Sequence, residues 1–178
     1  DEYFSNTSAT LIGALGSIVA AWHRIRNGDE PISSKPDCTY AENFLHILGA
    51  ENITPLMTRI MDATLVLHGE HTINASTFTA MVTSSTLANA SQVVASAIGS
   101  LSGPLHGGAN EKVIAMLQKI ESKEEIRPWL DETLKAKNVV WGMGHREYSV
   151  KDPRANILTD MVQELFDERD GGVTDIFE

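Results

Sequence analysis

The chain has 178 residues, 42% hydrophobic and 21% charged, and its 14 Lys and Arg against 24 Asp and Glu give a formal net charge of -10. That is enough apolar material for a packed core in one or two compact domains, and it excludes the low-hydrophobicity signature of disorder. The acidic excess is spread evenly on both sides of Gly107, with no cluster of Lys and Arg to replace phosphate counterions, which argues against a nucleic-acid partner.

The apolar stretch over residues 9–22 is interrupted by Thr10, Gly13, Gly16 and Ser17. It is too short and too mixed to span a bilayer, so no membrane partner is expected. It closes on His23, Arg24 and Arg26 followed by Asn27-Gly28, basic residues and then a helix stop, which predicts a helix over 8–26. Pro31 and Pro36 hold an irregular loop, residues 40–48 read as a short apolar helix closed by Gly49, and Thr54-Pro55 supplies an N-cap with proline at the first helical position. From there Leu56, Ile60, Thr64 and Leu67 repeat at helical spacing.

The helical pattern breaks at His68-Gly69-Glu70-His71, resumes over 76–87, and resumes again after Asn89 until Ser102-Gly103-Pro104 stops it. Ala88, Ala90, Ser91, Ala95, Ser96, Ala97 and Gly99 let helix axes approach closely, so this segment predicts buried helix-on-helix packing. After His106-Gly107-Gly108 a helix runs to about Ile120, Ser122 with Glu125 reads as a capping box, and residues 138–141 form a short extended run into a glycine loop. Asp152-Pro153 caps a last helix reaching about Glu168. No alternating strand pattern appears, so the expected fold class is all-α. A shift near Gly107, from small and weakly charged helices to longer and charge-rich ones, marks an expected boundary between a domain over 1–107 and one over 108–178.

Cys38 stands alone and the chain has no signal-like beginning. Neither a disulfide framework nor a Cys-rich zinc module is available, and the chain reads as cytoplasmic. The tripeptides at Asn6, Asn52, Asn74 and Asn89 match the glycosylation pattern, but such matches are common by chance and nothing else supports export. The opening on Asp1 and the stop soon after Asp170-Gly171-Gly172 read as a piece of something longer.

The histidines divide by location. His23 and His46 fall inside helical patterns, whereas His68, His71, His106 and His145 fall at breaks beside glycine, where backbone approaches ligands and imidazoles can donate or accept at neutral pH. His68, His71 and His106 have the chemistry of metal ligands, but no HExxH and no Cys pair accompanies them, so no metal is assigned. Gly142-Met143-Gly144 resembles the start of a dinucleotide loop, yet Glu147 occupies the third glycine position and no βαβ unit surrounds it. Gly99-Ser100-Leu101-Ser102-Gly103 has Leu where a nucleophile elbow needs Ser.

Three motifs in register remain: residues 103–111 (GPLHGGANE), 142–146 (GMGHR) and 152–155 (DPRA). With residues 20–26 (AAWHRIR), 43–45 (NFL) and 68–78 (HGEHTINASTF), they make nearly the whole chain resemble citrate synthase. The resemblance implies an all-α homodimer, with the chain covering the later part of a large helical domain and the first part of a small mobile one that closes over oxaloacetate before acetyl-CoA binds. It implies no cofactor, acetyl-CoA being a substrate. By the same resemblance His106 donates a hydrogen bond to the thioester carbonyl, His145 polarises the ketone of oxaloacetate, and His71 and Arg154 hold its carboxylates. Asn74 and Ser76 match positions that support the catalytic histidines, though Asn74 is equally a helix cap. Val139, Val140, Gly142 and Gly144 belong to a loop that would cradle the adenine end of coenzyme A, though a plain turn accounts for the same residues.

The residue chemistry agrees with those roles. A thioester methyl is a weak carbon acid, so its proton leaves only if the enolate oxygen meets a preorganised donor. Arg154 offers a fixed fork matched to a carboxylate. Glu70, Thr72 and Met143 depart from residues usual in relatives, and the family's catalytic Asp has no match between residues 1 and 178, so no base is assigned. Two rivals stay open: 2-methylcitrate synthase, which takes propionyl-CoA, and a non-catalytic helical module that kept the scaffold.

Overall fold

The structure, a computed structural model, describes residues 2–69, 72–144 and 149–168. Among the described residues there are eight α-helices and no strand: α1 (Glu2–Arg26), α2 (Tyr40–Leu48), α3 (Pro55–Leu67), α4 (Ala75–Ser85), α5 (Ala90–Leu101), α6 (Gly108–Leu117), α7 (Lys123–Lys135) and α8 (Pro153–Glu168). The all-α expectation holds. Contacts group the chain into two compact units, one of Asp1–Glu70 with Asn156–Leu165, the other of His71–Ala155 with Phe166–Glu178.

In the first unit α2 packs on both α1 and α3. Its buried residues are Ala20 from α1, Ala41, Leu45 and Ile47 from α2, and Leu56 from α3. Both ends of α2 and the start of α3 fall where the sequence reading puts them. Thr39 and Thr54 accept hydrogen bonds from the amides of Glu42 and Met57, and Gly49 closes α2 in the left-handed region at φ 92°. Helix α1 begins earlier than residue 8, because no glycine or proline interrupts residues 2–7, and the Thr10 hydroxyl bonds back to the Asn6 carbonyl within it. An ion pair between Arg59 and Glu164 ties α3 to α8 in this unit.

The second unit is built on the α4–α5 pair. Asn74 caps α4 and Asn89 caps α5, each side-chain oxygen accepting an amide three residues on. Helix α4 stops at Ser85 rather than 87: Thr86 and Leu87 close as tight turns on Thr83 and Ser84, and Leu87 takes a left-handed φ of 61°. Small residues face one another as expected, with Thr83 Oγ1 2.8 Å from Ser96 Oγ. The expectation of burial needs correcting, since no residue of α4 or α5 is buried in this chain.

Two further ends differ from the sequence reading. Helix α6 stops at Leu117 because Lys119 and Ile120 donate to carbonyls three residues back, a tightened final turn. The capping box at Ser122 is only half formed. Its hydroxyl makes no capping bond, while the Glu125 carboxylate accepts the amide of Glu121 at 3.1 Å, one residue earlier than a reciprocal box would place it.

Candidate functional site

His106 lies in the second unit, in the short turn between α5 and α6. The turn is wound by three bonds: the His106 amide to the Gly103 carbonyl at 2.9 Å, the Gly107 amide to Leu101 at 2.9 Å, and the Gly108 amide to Gly103 at 3.3 Å. A Cβ on Gly107 would lie 2.6 Å from the Leu101 carbonyl oxygen, closer than such atoms approach, so only glycine fits beside the histidine. That is the physical content of the His-Gly-Gly motif.

The half-buried imidazole is turned toward the start of α4. Its Nε2 lies 2.9 Å from Ser76 Oγ and accepts the Ser76 backbone N–H at 3.3 Å. Ser76 Oγ is in turn 2.8 Å from Asn74 Oδ1, which also accepts the Thr77 amide at 2.9 Å. A backbone amide can only donate. With Nε2 its acceptor, a neutral ring carries its proton on Nδ1, so this tautomer is assigned from the hydrogen-bond geometry. The single proton of the Ser76 hydroxyl has two acceptors in reach, Nε2 and Asn74 Oδ1. The structure therefore brings together Asn74, Ser76 and His106 across 30 residues of sequence, and Asn74 both caps the helix and orients the serine.

Arg154, at the second position of α8, is paired with Asp152. Asp152 Oδ1 accepts the Arg154 backbone N–H at 2.9 Å and Nε–H at 3.0 Å, while Oδ2 accepts from Nη2 at 2.6 Å. One carboxylate thus caps the helix and grips the side-on edge of the guanidinium, with about a quarter of each side chain exposed. The sequence reading made Asp152 a cap only. Its hold on the arginine was missed because an i, i+2 contact across a helix start has no pattern of its own.

The loop after α7 carries Val139, Val140, Gly142 and Gly144. The Met143 amide donates to the Val140 carbonyl at 3.2 Å, closing a turn whose third residue, Gly142, has φ 86°, the left-handed value for which glycine is selected. Val139 and Met143 are exposed. Trp141 is covered by Lys112 of α6, whose Nζ stands 4.2 Å from the ring centroid, a pair sequence reasoning also missed. The two proposed ligands His71 and His145 lie outside the described residues. Among the described residues no group of three His, Cys, Asp or Glu side chains is placed to hold a metal ion, and no helix is long and apolar enough to cross a membrane.

The all-α scaffold thus presents a histidine on a glycine-built turn, an arginine at a capped helix start and a glycine loop. The family described as citrate synthase, C-terminal domain, matches residues 1–178. A citrate synthase of Acidithiobacillus ferridurans is 48% identical over 155 residues, covering 87% of this chain and 40% of that protein. A 2-methylcitrate synthase of Shewanella oneidensis is 38% identical over 162 residues, covering 90% and 43%. The solved structure of the citrate synthase of Thermoplasma acidophilum, in ternary complex with carboxymethyl coenzyme A and oxaloacetate, superposes with a TM-score of 0.80 at 31% identity, over 92% of this chain and 43% of that one. The chain belongs to the citrate synthase family. It spans about two fifths of the length of the curated relatives it matches.

Proposed function

We propose that the protein of which this chain forms part is a citrate synthase, condensing oxaloacetate with acetyl-CoA and hydrolysing citryl-CoA to citrate and coenzyme A. The observation that carries the reading is the Ser76 amide on His106 Nε2. It leaves Nδ1–H as a neutral donor, the group an enolate oxygen needs while a base removes the methyl proton. The enolate carbon then forms the C–C bond to the ketone carbon of oxaloacetate, and the ketone oxygen gains a proton with help from His145. Water cleaves the thioester and releases the thiol.

In this reading His71 and Arg154 bind carboxylates of oxaloacetate, and the grip of Asp152 on Nε and Nη2 fixes the plane of the guanidinium. Val139, Val140, Gly142 and Gly144 receive the adenine end of the acyl-CoA on their backbone groups. The base is an Asp in the part of the relatives that this chain does not span, so the 178-residue chain alone is inactive. Residues 1–107 form the later part of the large domain and 108–178 the first part of the small one. The enzyme is a cytoplasmic homodimer that joins through α4 and α5 and needs no cofactor.

A second reading, 2-methylcitrate synthase, is favoured by the Shewanella oneidensis relative. One assay separates them: thiol release by the full-length protein from oxaloacetate with acetyl-CoA or with propionyl-CoA. Faster turnover of acetyl-CoA is expected. Preference for propionyl-CoA replaces the first reading with the second, and release from neither removes both.

A further inference from the structure

The pair of Lys112 and Trp141 has no part in the mechanism above, yet it joins the two segments that the mechanism uses. Lys112 sits on α6, the helix that begins at Gly108 directly after the His106 turn, and Trp141 sits inside the glycine loop. Both side chains are half-buried. The ammonium stands 4.2 Å from the indole centroid, inside the range where a cation is held by the negative face of the ring, and indole is the strongest of the aromatic partners.

The surroundings of Gly142 bear on the same place. A Cβ on Gly142 would lie 3.3 Å from Val113 Cγ2, so Val113, the residue next to Lys112, leaves a side chain at that loop position little room. Two successive residues of α6 thus border two successive loop residues, Trp141 and Gly142. Beyond them, Met143 and Val139 are 75% and 61% exposed, so the loop has little other packing there to hold its shape. A loop with two left-handed glycines loses much conformational freedom when it orders, and a contact that orders it in advance lowers what a ligand must supply.

We infer that Lys112 is a positioning residue for the acyl-CoA loop, holding residues 139–144 against α6 through the face of Trp141, in register with the turn that carries His106. The inference rests on the reading of that loop as the acyl-CoA site. It assigns Lys112 a role in acyl-CoA affinity and none in the chemical step, because its contact is complete before any charge develops on substrate.

The test uses the full-length protein. Lys112→Met keeps an unbranched side chain of helical preference and removes the charge. It is expected to raise KM for acetyl-CoA about two- to fivefold, the loss typical of a partly exposed cation–π contact, with KM for oxaloacetate and kcat unchanged. Lys112→Arg, which keeps the cation, is expected to restore the parent value. In a Trp141→Leu background Lys112→Met should have no further effect. A lysine that instead met the coenzyme directly would raise KM in both backgrounds, and that result would overturn the inference. So would an unchanged KM in Lys112→Met, or a fall in kcat matching the rise in KM. Gly142→Val, which forces a side chain onto Val113 at a left-handed position, keeps the two readings apart. If it leaves acetyl-CoA KM unchanged, the loop is not the acyl-CoA site. If it raises KM while Lys112→Met does not, only the role of Lys112 falls.

Discussion

Ser76→Ala in the full-length protein isolates what the serine hydroxyl does for His106. The substitution removes the 2.9 Å contact to Nε2 and leaves the amide contact at 3.3 Å, so the ring keeps its tautomer but loses one of its two fixed partners. Asn74 Oδ1 keeps the Thr77 amide, so the cap of α4 survives and the fold should be unaffected. A single neutral hydrogen bond contributes a net of about 0.5–1.5 kcal/mol, which converts to about a two- to thirteenfold loss in rate if all of it is expressed in the transition state. His106→Gln replaces the imidazole Nδ1–H by an amide that no longer holds its donor at the same place, and should cost about 10² to 10³ in kcat. The assay is steady-state thiol release with both substrates varied, and kcat should move more than either KM in both variants. If Ser76→Ala costs as much as His106→Gln, the serine touches the reacting atoms rather than positioning the ring. If His106→Gln leaves kcat within about threefold, the level of an uninvolved surface residue, the assignment of His106 is wrong.

Arg154→Leu should raise KM for oxaloacetate with kcat within a few-fold, because a carboxylate contact is already made in the ground state; Asp152→Asn, which keeps an oxygen for the helix cap but loses the anionic grip, should show a smaller rise in the same constant. Gly107→Ala puts a methyl 2.6 Å from the Leu101 carbonyl oxygen and should cost about 1–3 kcal/mol, read as a lower melting temperature together with reduced kcat; an unchanged melting temperature would mean that the turn is not tight. Partial burial, then the neighbouring Glu42 carboxylate, hold the Cys38 thiol above its ordinary pKa. The thiolate fraction is therefore smaller at any given pH, and iodoacetamide should label Cys38 more slowly at pH 8 than a free cysteine. The linked stability is present below the ordinary thiol pKa and is lost as pH rises through the folded value; labelling at the free-cysteine rate contradicts the shift.

The elements that were legible in the sequence are those whose signals are local. Thr54 and Asn74 announce their helices because a short polar side chain before an apolar run has one favourable use, to accept an orphan amide; Thr39 and Asn89 cap theirs in the same way. Helix ends without such a residue were misplaced by a few positions, as at the start of α1 and the close of α6. The site was legible as a set of motifs and opaque as a set of contacts. Asn74, Ser76 and His106 could be named from the resemblance, but nothing in their spacing says that the serine amide selects the imidazole tautomer. Lys112 over Trp141 lay beyond reach for the same reason: the two residues are joined only by the return of the chain after α7. His71 and His145, to which the resemblance gives a carboxylate and the ketone of oxaloacetate, fall outside the described residues.

The α4–α5 pair leaves large apolar side chains exposed in this chain, which spans about two fifths of the length of its relatives. Its half-buried residues are small or short: Ser76, Thr79, Ala80 and Thr83 on α4, with Val93, Val94, Ser96, Ala97 and Ser100 on α5. Phe78, Met81 and Val82, at i, i+3 and i+4 on α4, are instead exposed, as are Ile98 and Leu101 on α5. In the proposed homodimer these exposed side chains would form the contact surface. A two-fold axis would then set the stripe against itself and use each residue twice. Met81→Asp is the informative change. Burying a methionine contributes about 1.5–3 kcal/mol, and two copies per interface double that, so the dimer dissociation constant of the full-length protein should rise by at least about 10². Sedimentation velocity at micromolar concentration should then show a dimer for the parent protein and a monomer or a mixture for the variant. An active parent that sediments as a monomer refutes the pairing, and the stripe must then be covered from within its own subunit.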